Sequence, residues 1–230
     1  MPSLQFEQLE ATVEKSGSHF GRFILSPIKP GLGVTIGNTL RRVLLAELKG
    51  TAITAIRIAG VNHEFSLLPG VREDILEILL NLKQVVFKSE IVEPVFASLK
   101  VEGPKVVTAS LIDLTPEVTL INPNHYITTI LDNSVLEIDF KIERGIGYQL
   151  NNRSTNEESI NFLDIDAVFM PVNRVNYTVD VVPSPSGELQ ESLTLDLWSN
   201  GSILPEDAIQ ESSKFIVSTF SSFIEGDVEE

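Results

Sequence analysis

The most regular hydrophobic pattern in the chain lies at residues 33–50. Wound at about 100° per residue, Ile36, Leu40, Val43, Leu44 and Leu48 fall within a sector of ~140°, the apolar stripe of a packed helix. Thr35 is placed to cap its start, Lys49 suits the negative C-terminal end of the dipole, and Gly50 offers a left-handed stop. Asn38, Arg41, Arg42 and Leu45 gather on the opposite side. One reading of that side is a solvated face with a stray leucine. The other is a helix gripped on both sides, its stripe in a core or dimer and its arginines against a second protein. Arginine flanking an apolar anchor is the composition of an interface hot spot.

Upstream, the alternation at 4–14 predicts an edge strand and 19–26 its partner, with Pro27 and the turn at 30–33 ending the sheet. Downstream, 52–58 alternates again, and 62–67 predicts a short strand beyond Ala59-Gly60. Pro69-Gly70 breaks the chain before a second helix at 71–84, with Glu73 and Asp74 in its first turn and Lys83 in its last. Its leucines and isoleucines cover more than half the circumference, which predicts burial on several sides. From 85 to 142 the period is two, giving strands at 85–88, 95–101, 106–111, 118–121, 126–131 and 135–142. Residues 144–147 close this stretch and 151–159 read as a polar loop. Strands follow at 162–170, 175–182 and 189–198, with a hairpin turn at 183–187. A last helix opens at Pro205, followed by Glu206 and Asp207; Leu204 is a poor cap, which leaves that start to Ser202 or water. Ile209, Ile216, Val217, Phe220, Phe223 and Ile224 form its stripe, roughly 120° wide. An acidic tail at 225–230 ends the chain.

The order of elements predicts an α+β fold with a discontinuous dimerisation subdomain. Residues 1–50 and 171–230 would pair as a small antiparallel sheet plus two helices, with a β-rich subdomain inserted at 51–170. Two strong stripes and one small sheet leave spare apolar surface, which a symmetric dimer would bury.

Composition narrows the function. The 230 residues are 43% hydrophobic and contain no cysteine, so disulfides, thiolate metal sites and a cysteine nucleophile are excluded. No uninterrupted apolar run is long enough to span a membrane, and the N-terminus has neither a signal core nor a transit-peptide bias. A net charge of −15 without a basic cluster argues against DNA binding by this chain alone. Candidate chemistry is sparse. Gly31-Leu-Gly33-Val-Thr-Ile-Gly37 is one residue too long for a dinucleotide fingerprint, and there is no phosphate-binding loop. Asp164-Ile-Asp166 has the look of a metal-binding pair but lies in an alternating strand without further carboxylates nearby. His19, His63 and His125 are scattered, and no serine stands in a nucleophile elbow. No catalytic, cofactor or metal site is expected.

Longer motifs carry more. Gly37-Asn-Thr-Leu-Arg-Arg-Val-Leu-Leu45, His63-Glu-Phe-Ser66, the run from Gly70 to Lys83 and Asn200-Gly-Ser-Ile-Leu-Pro-Glu-Asp-Ala208 resemble the N-terminal domain of the bacterial-type RNA polymerase alpha subunit. Phe20-Gly-Arg-Phe-Ile-Leu-Ser-Pro27 and Ile165-Asp-Ala-Val-Phe-Met-Pro-Val172 are most similar to cyanobacterial and plastid members. The resemblance implies a non-catalytic scaffold that dimerises and nucleates assembly of the beta and beta-prime subunits, without a cofactor. It implies a dimer interface at Ile36, Leu40, Val43, Leu44, Leu48, Ile209, Ile216, Phe220 and Phe223. It carries a beta contact over to Asn38, Arg41, Arg42, Leu45, His63 and Glu64, Arg42 foremost, and a beta-prime contact to Lys83, Ile165 and Val172. The setting it implies is the nucleoid-associated cytoplasm of a cyanobacterium or the plastid stroma. Family members usually continue into a C-terminal domain that binds promoter DNA and activators. This chain stops at Glu230, so that domain is taken as absent and its functions are not carried over. The alternative is a stand-alone homodimeric interaction module, which would show no affinity for polymerase subunits.

Overall fold

The structure is a computed structural model and describes residues 4–14, 17–61, 63–150, 162–183 and 188–225. In chain order it opens with β1 (Gln5–Val13), β2 (His19–Ile28), α1 (Leu32–Ala46), β3 (Lys49–Ile58) and α2 (Ile75–Leu82). Short strands follow as β4 (Phe87–Ser89), β5 (Val95–Glu102), β6 (Lys105–Thr108), β7 (Val118–Leu120) and β8 (Tyr126–Ile130). The remainder is β9 (Val135–Ile146), β10 (Tyr148–Gln149), β11 (Leu163–Asp164), β12 (Ala167–Val168), β13 (Val172–Pro183), β14 (Leu189–Ser199) and α3 (Pro205–Glu225). The fold is α+β, and each strand pairing among the described residues is antiparallel.

The chain divides into two compact units, 1–48 with 170–230, and 49–169. In the first, four strands run in the order β1-β2-β14-β13. Phe23, Leu195, Leu197 and Val175 point to one face of this sheet, where Leu44 and Leu48 from the end of α1 and Ala208 and Ile209 from α3 complete a core. β1 is the edge strand its alternation predicts, yet all nine of its residues are exposed. It is held by its ladder to β2 and by Phe6 stacked on Phe23 at 5.4 Å.

In the second unit, β5-β9-β3-β4-β7 form one sheet with β11 added beside β3, and β6–β8 and β10–β12 make two small ribbons. Ile56, Ile138, Phe140 and Leu99 from the large sheet meet Ile75, Ile78 and Leu82 of α2 in a continuous core. Glu73 ties α2 to β8. Its carboxylate is nearly buried and accepts from the Tyr126 hydroxyl, the Thr128 hydroxyl at 2.7 Å and the Thr129 N–H at 2.9 Å.

Several expected details differ. Thr35 is not a cap: α1 starts three residues earlier, behind Gly31 at φ 88°, and Glu191 of β14 takes the free amides. Its two carboxylate oxygens accept from Gly31 N–H at 2.7 Å and Gly33 N–H at 2.8 Å. A carboxylate there both satisfies orphan donors and meets the positive end of the dipole. Gly50 is no helix stop, and Lys49 does not end the helix, because both lie in β3. Gly50 is needed for close approach, since a Cβ there would sit 1.8 Å from the Phe169 carbonyl oxygen. α2 is shorter than 71–84 and is capped by Asp74, which accepts from Glu77 N–H at 2.7 Å. One face of α2 is buried, while Leu76 and Leu80 are exposed, so burial on several sides is corrected.

Residues 63–67 form turns rather than a strand, and 162–170 splits into β11 and β12. Residues 109–111 make a 3-10 turn, and β9 runs through Ile146, past its expected end at 142. At the start of α3 the Ser202 hydroxyl donates to Asn200 instead, and Leu204 contributes only its carbonyl, which accepts from Ala208 N–H. The expected loop at 151–159, the turn at 184–187, residue 62, the side chain of Ile224 and the tail at 226–230 lie outside the described residues and side chains.

Candidate protein–protein interface

α1 presents three different sectors, and its glycines decide which is which. Gly33 and Gly37 face the sheet. A Cβ at Gly37 would lie 2.6 Å from the Tyr177 ring, and one at Gly33 would lie 2.8 Å from Val179. With Leu44, only 1% exposed, they form the inner face. Ile36, Thr39 and Leu40 then flank one side. Asn38, Arg41 and Arg42 are exposed on the other, roughly 140° around the helix from that flank.

The arginine side has no local use for its charge. Among the described residues neither Arg41 nor Arg42 has an ion-pair partner, in a chain with 32 carboxylates. Arg22 in the same unit is the contrast, clamped by Asp196 through Nε at 2.7 Å and Nη2 at 3.1 Å. Leu45 is half-buried and packs on the unit's own core, so it is a shoulder of the arginine face and not a free anchor.

On the other flank, α1 and α3 enclose a trough of about 660 Å³ above β2 and β14. Ile36 and Leu40 of α1, Ile216 and Phe220 of α3, and Phe6 and Leu25 of the sheet line it. α3 is buried over its first half at Ala208, Ile209 and Ser212. Beyond that half it carries Val217, Phe220 and Phe223 into solvent, Phe220 at 59% exposure. The rings of Phe220 and Phe223 lie 6.3 Å apart. Leu44, Leu48 and Ile209, expected at a dimer interface, are buried in the unit's own core instead. Their wheel positions aim them at the sheet, and the exposed apolar positions of α3 lie about two to four turns beyond Ile209.

In the other unit, His63 and Glu64 sit in a tight turn closed by Ser66 N–H donating to the His63 carbonyl at 3.1 Å. His63 is exposed, with its ring Nδ1 3.1 Å from the Ser66 hydroxyl, and Glu64 is half-buried. The same turn displays Phe65 and Leu67, which are 77% and 82% exposed. The alternation at 62–67 predicts strand residues there; two large apolar side chains between Gly60 and the Pro69-Gly70 break are the signal the sequence offers. Lys83 lies at the C-terminal end of α2, its ammonium 3.4 Å from Asp166 and 5.5 Å from the Tyr148 ring centre. The Tyr148 hydroxyl donates to the same Asp166 oxygen at 3.0 Å. Ile165 and Val172, expected at the surface with Lys83, are 6% and 2% exposed in the cores of their respective units. Ile165 points inward between β11 and β12 and Val172 points inward at the start of β13, so neither offers its side chain to a partner.

Asp166 of the Asp164–Asp166 pair is engaged by Lys83 and Tyr148, and burial pushes the Asp164 carboxyl up despite Lys141 nearby. Among the described residues no group of three His, Asp or Glu side chains is placed to hold a metal, and no helix is long and apolar enough to cross a membrane.

Residues 56–170 match the family described as the RNA polymerase Rpb3/RpoA insert domain. The DNA-directed RNA polymerase subunit alpha of Rhodomonas salina is 51% identical over 216 residues, covering 94% of this chain and 69% of that protein. That of Trieres chinensis is 51% identical over 225 residues, covering 98% and 72%. The Cyanophora paradoxa protein of the same name is 48% identical over 223 residues, covering 97% and 71%. The chain belongs to the DNA-directed RNA polymerase alpha subunit family.

As an alpha-family chain it is a component of a transcription complex, and the stand-alone module loses its support. The insert match begins inside β3 and ends at the last residues before the sheet of the first unit resumes. The alpha-family motif Asn38–Leu45 spans two turns of α1, with Asn38, Arg41 and Arg42 on the solvent side and Leu44 in the core, and the Asn200–Ala208 motif forms the turn and first residues of α3. That turn is built from Gly201 at φ 96° and the Asn200 side chain, which accepts from Ser202 N–H at 2.9 Å.

Proposed function

We propose that this chain is the non-catalytic assembly subunit of its polymerase, a homodimer that receives the beta and beta-prime subunits. One observation carries the reading: α1 has two free faces of opposite chemistry, an apolar flank that closes a trough with α3 and a cationic flank with no internal partner. A second copy fills the trough, through Ile36, Leu40 and Val43 of α1 and Ile216, Phe220 and Phe223 of α3. A face made of one stripe on each of two helices is self-complementary under a two-fold axis. In this reading residues 1–50 and 171–230 are the dimerisation subdomain, and 51–170 the insert.

The beta subunit takes the arginine flank, Asn38, Arg41 and Arg42, and the turn at His63 and Glu64 supplies a second patch to which Phe65 and Leu67 add apolar area. Beta-prime engages Lys83. The chain itself does not bind promoter DNA, and it works in a plastid stroma or a cyanobacterial cytoplasm.

Arg42→Ala tests the assignment. Arg42 is exposed and unpaired, so folding and dimerisation should change by no more than about 0.5 kcal/mol. Loss of a desolvated arginine from an interface costs about 2–5 kcal/mol, or ~30-fold and upward in affinity. Capture of the beta subunit by immobilised wild-type and mutant dimers of matched melting temperature reads the difference. Equal capture would show the arginine flank to be ordinary solvated surface.

A further inference from the structure

A second site lies wholly within the unit of residues 49–169. It is a cavity of about 540 Å³ between β3, β5, β9 and the segment after the 3-10 turn. Arg57 and Asp139 form its floor and neutralise each other, Nη2 of the arginine lying 2.6 Å from the carboxylate. Arg57 also lies 5.6 Å from the centre of the Phe162 ring, which fixes one wall, and Phe96 leans on Phe162 with ring centres 6.2 Å apart. Phe96 remains 59% exposed at the rim.

Two polar groups in this cavity are unspent. Asp113 is exposed, and among the described residues its carboxylate has no ion pair. The Thr115 hydroxyl is sealed from solvent and has no hydrogen-bond partner. A sealed polar atom without a partner is uncommon in folded proteins and calls for an explanation. With Arg57 and Asp139 cancelling, the one uncompensated charge at the cavity is negative.

The backbone beside it is also unspent. β5 pairs with β9 on one side only. Ser98 exchanges both backbone hydrogen bonds with Asp113, N–H to carbonyl at 3.3 Å and the reverse at 2.8 Å. Ser98 therefore points its amide and carbonyl away from β9. Antiparallel pairing alternates with period two, and the β5–β9 register runs without a shift, so Phe96 points the same way. Among the described residues no strand or loop meets the Phe96 amide and carbonyl.

We infer that this edge and cavity form a docking site for an extended, basic segment of a partner protein, paired to β5 at Phe96 with one arginine or lysine side chain in the cavity. Main-chain bonds to an edge strand supply affinity and an alternate side-chain pocket supplies specificity. The methylenes of the cationic side chain lie on Phe96 and Phe162, whose ring faces favour a cation. Its charged end reaches the Asp113 carboxylate, beside Thr115 in the cavity wall. The site is independent of the beta, beta-prime and dimer surfaces proposed above.

The probe is a fluorescein-labelled nine-residue peptide of alternating threonine and valine with a single central arginine. It is titrated with the full chain at about 50 mM salt and followed by anisotropy, beside peptides with central glutamate or norleucine. The arginine peptide should saturate, and the glutamate peptide should not. Asp113→Asn and Phe96→Ala should each weaken binding about fivefold or more, on the scale of one charge pair or cation–ring contact. N-methylation of the two amides flanking the arginine should abolish it. Both substituted residues are exposed, so circular dichroism melting should match wild type. No binding of the arginine peptide at 1 mM, equal binding of the glutamate peptide, or indifference to both substitutions and to N-methylation would each overturn the proposal.

Discussion

Phe220→Asp is the sharpest test of the trough. Phe220 is 59% exposed and lines the trough. An aromatic side chain buries about 150–250 Å², so roughly 120 Å² of the ring is still available to a second copy. At about 25 cal/mol per Å² that is ~3 kcal/mol per protomer, and ~6 kcal/mol for a two-fold interface that uses the ring twice. Association costs and imperfect burial reduce this, so a loss of about 3–6 kcal/mol is expected, or ~10²–10⁴ in the dimer dissociation constant. The introduced carboxylate adds desolvation in the same direction. Sedimentation equilibrium across nanomolar to micromolar concentration reads the constant directly. Because the residue is far out on α3, the melting transition of the separated protomer should survive. A wild-type monomer at micromolar concentration, or a mutant that dimerises like wild type, would refute the reasoning.

Glu73→Gln should destabilise the chain by about 1–3 kcal/mol at neutral pH, measured by urea unfolding. Burial pushes the Glu73 carboxyl up, but bonds from Tyr126, Thr128 and the Thr129 amide more than offset it and hold it below its ordinary 4.5. Its contribution is thus present above pH 4.5 and lost as pH falls through the lowered folded value, so mutant and wild type should converge in acid. Asp164→Asn should do the opposite, a modest gain at pH 7 that disappears below about pH 3.8, because burial raises that carboxyl and disfavours its charged form in the fold. Gly50→Ala should cost several kcal/mol or prevent folding, since its Cβ would overlap the Phe169 carbonyl; an alanine variant that melts like wild type would show that the backbone yields there.

What the sequence made legible follows the range of the interactions involved. Alternation and helical periodicity are local, so β1, β2, β5, β9, β14 and the bodies of all three helices were readable. The start of α1 was not, because its cap is Glu191, 160 residues away from Gly31. Gly50 read as a helix stop because nothing nearby reveals that Phe169 crosses it. Glu73 read as a first-turn acid favoured by the dipole, whereas its partners sit on β8, more than fifty residues on. The inner and outer faces of α1 were separable by wheel position. Which apolar residues stay free was not, since Leu44 and Leu48 face the same way as Leu40 and only the sheet beneath them differs. The Phe96–Asp113 cavity has no sequence signature at all, because its walls come from five separate segments.

The discontinuous first unit also has a consequence for how the chain is made. Arg22 and its clamp Asp196 are separated by 174 positions, and β2 meets its neighbour β14 only after the whole of 49–169 has been synthesised. At about 5–20 residues per second a ribosome needs roughly ten to thirty seconds for that interval. Throughout it, β2 has only the exposed strand β1 beside it, and the inner face of α1 has no sheet to lie on. Residues 49–169 are contiguous and contain their own core, so they have every element in hand first. The nascent chain is thus obliged to carry a finished insert at its centre and an open, apolar N-terminal arm, a state in which chaperones have time to act and in which premature pairing with a second nascent arm is the hazard.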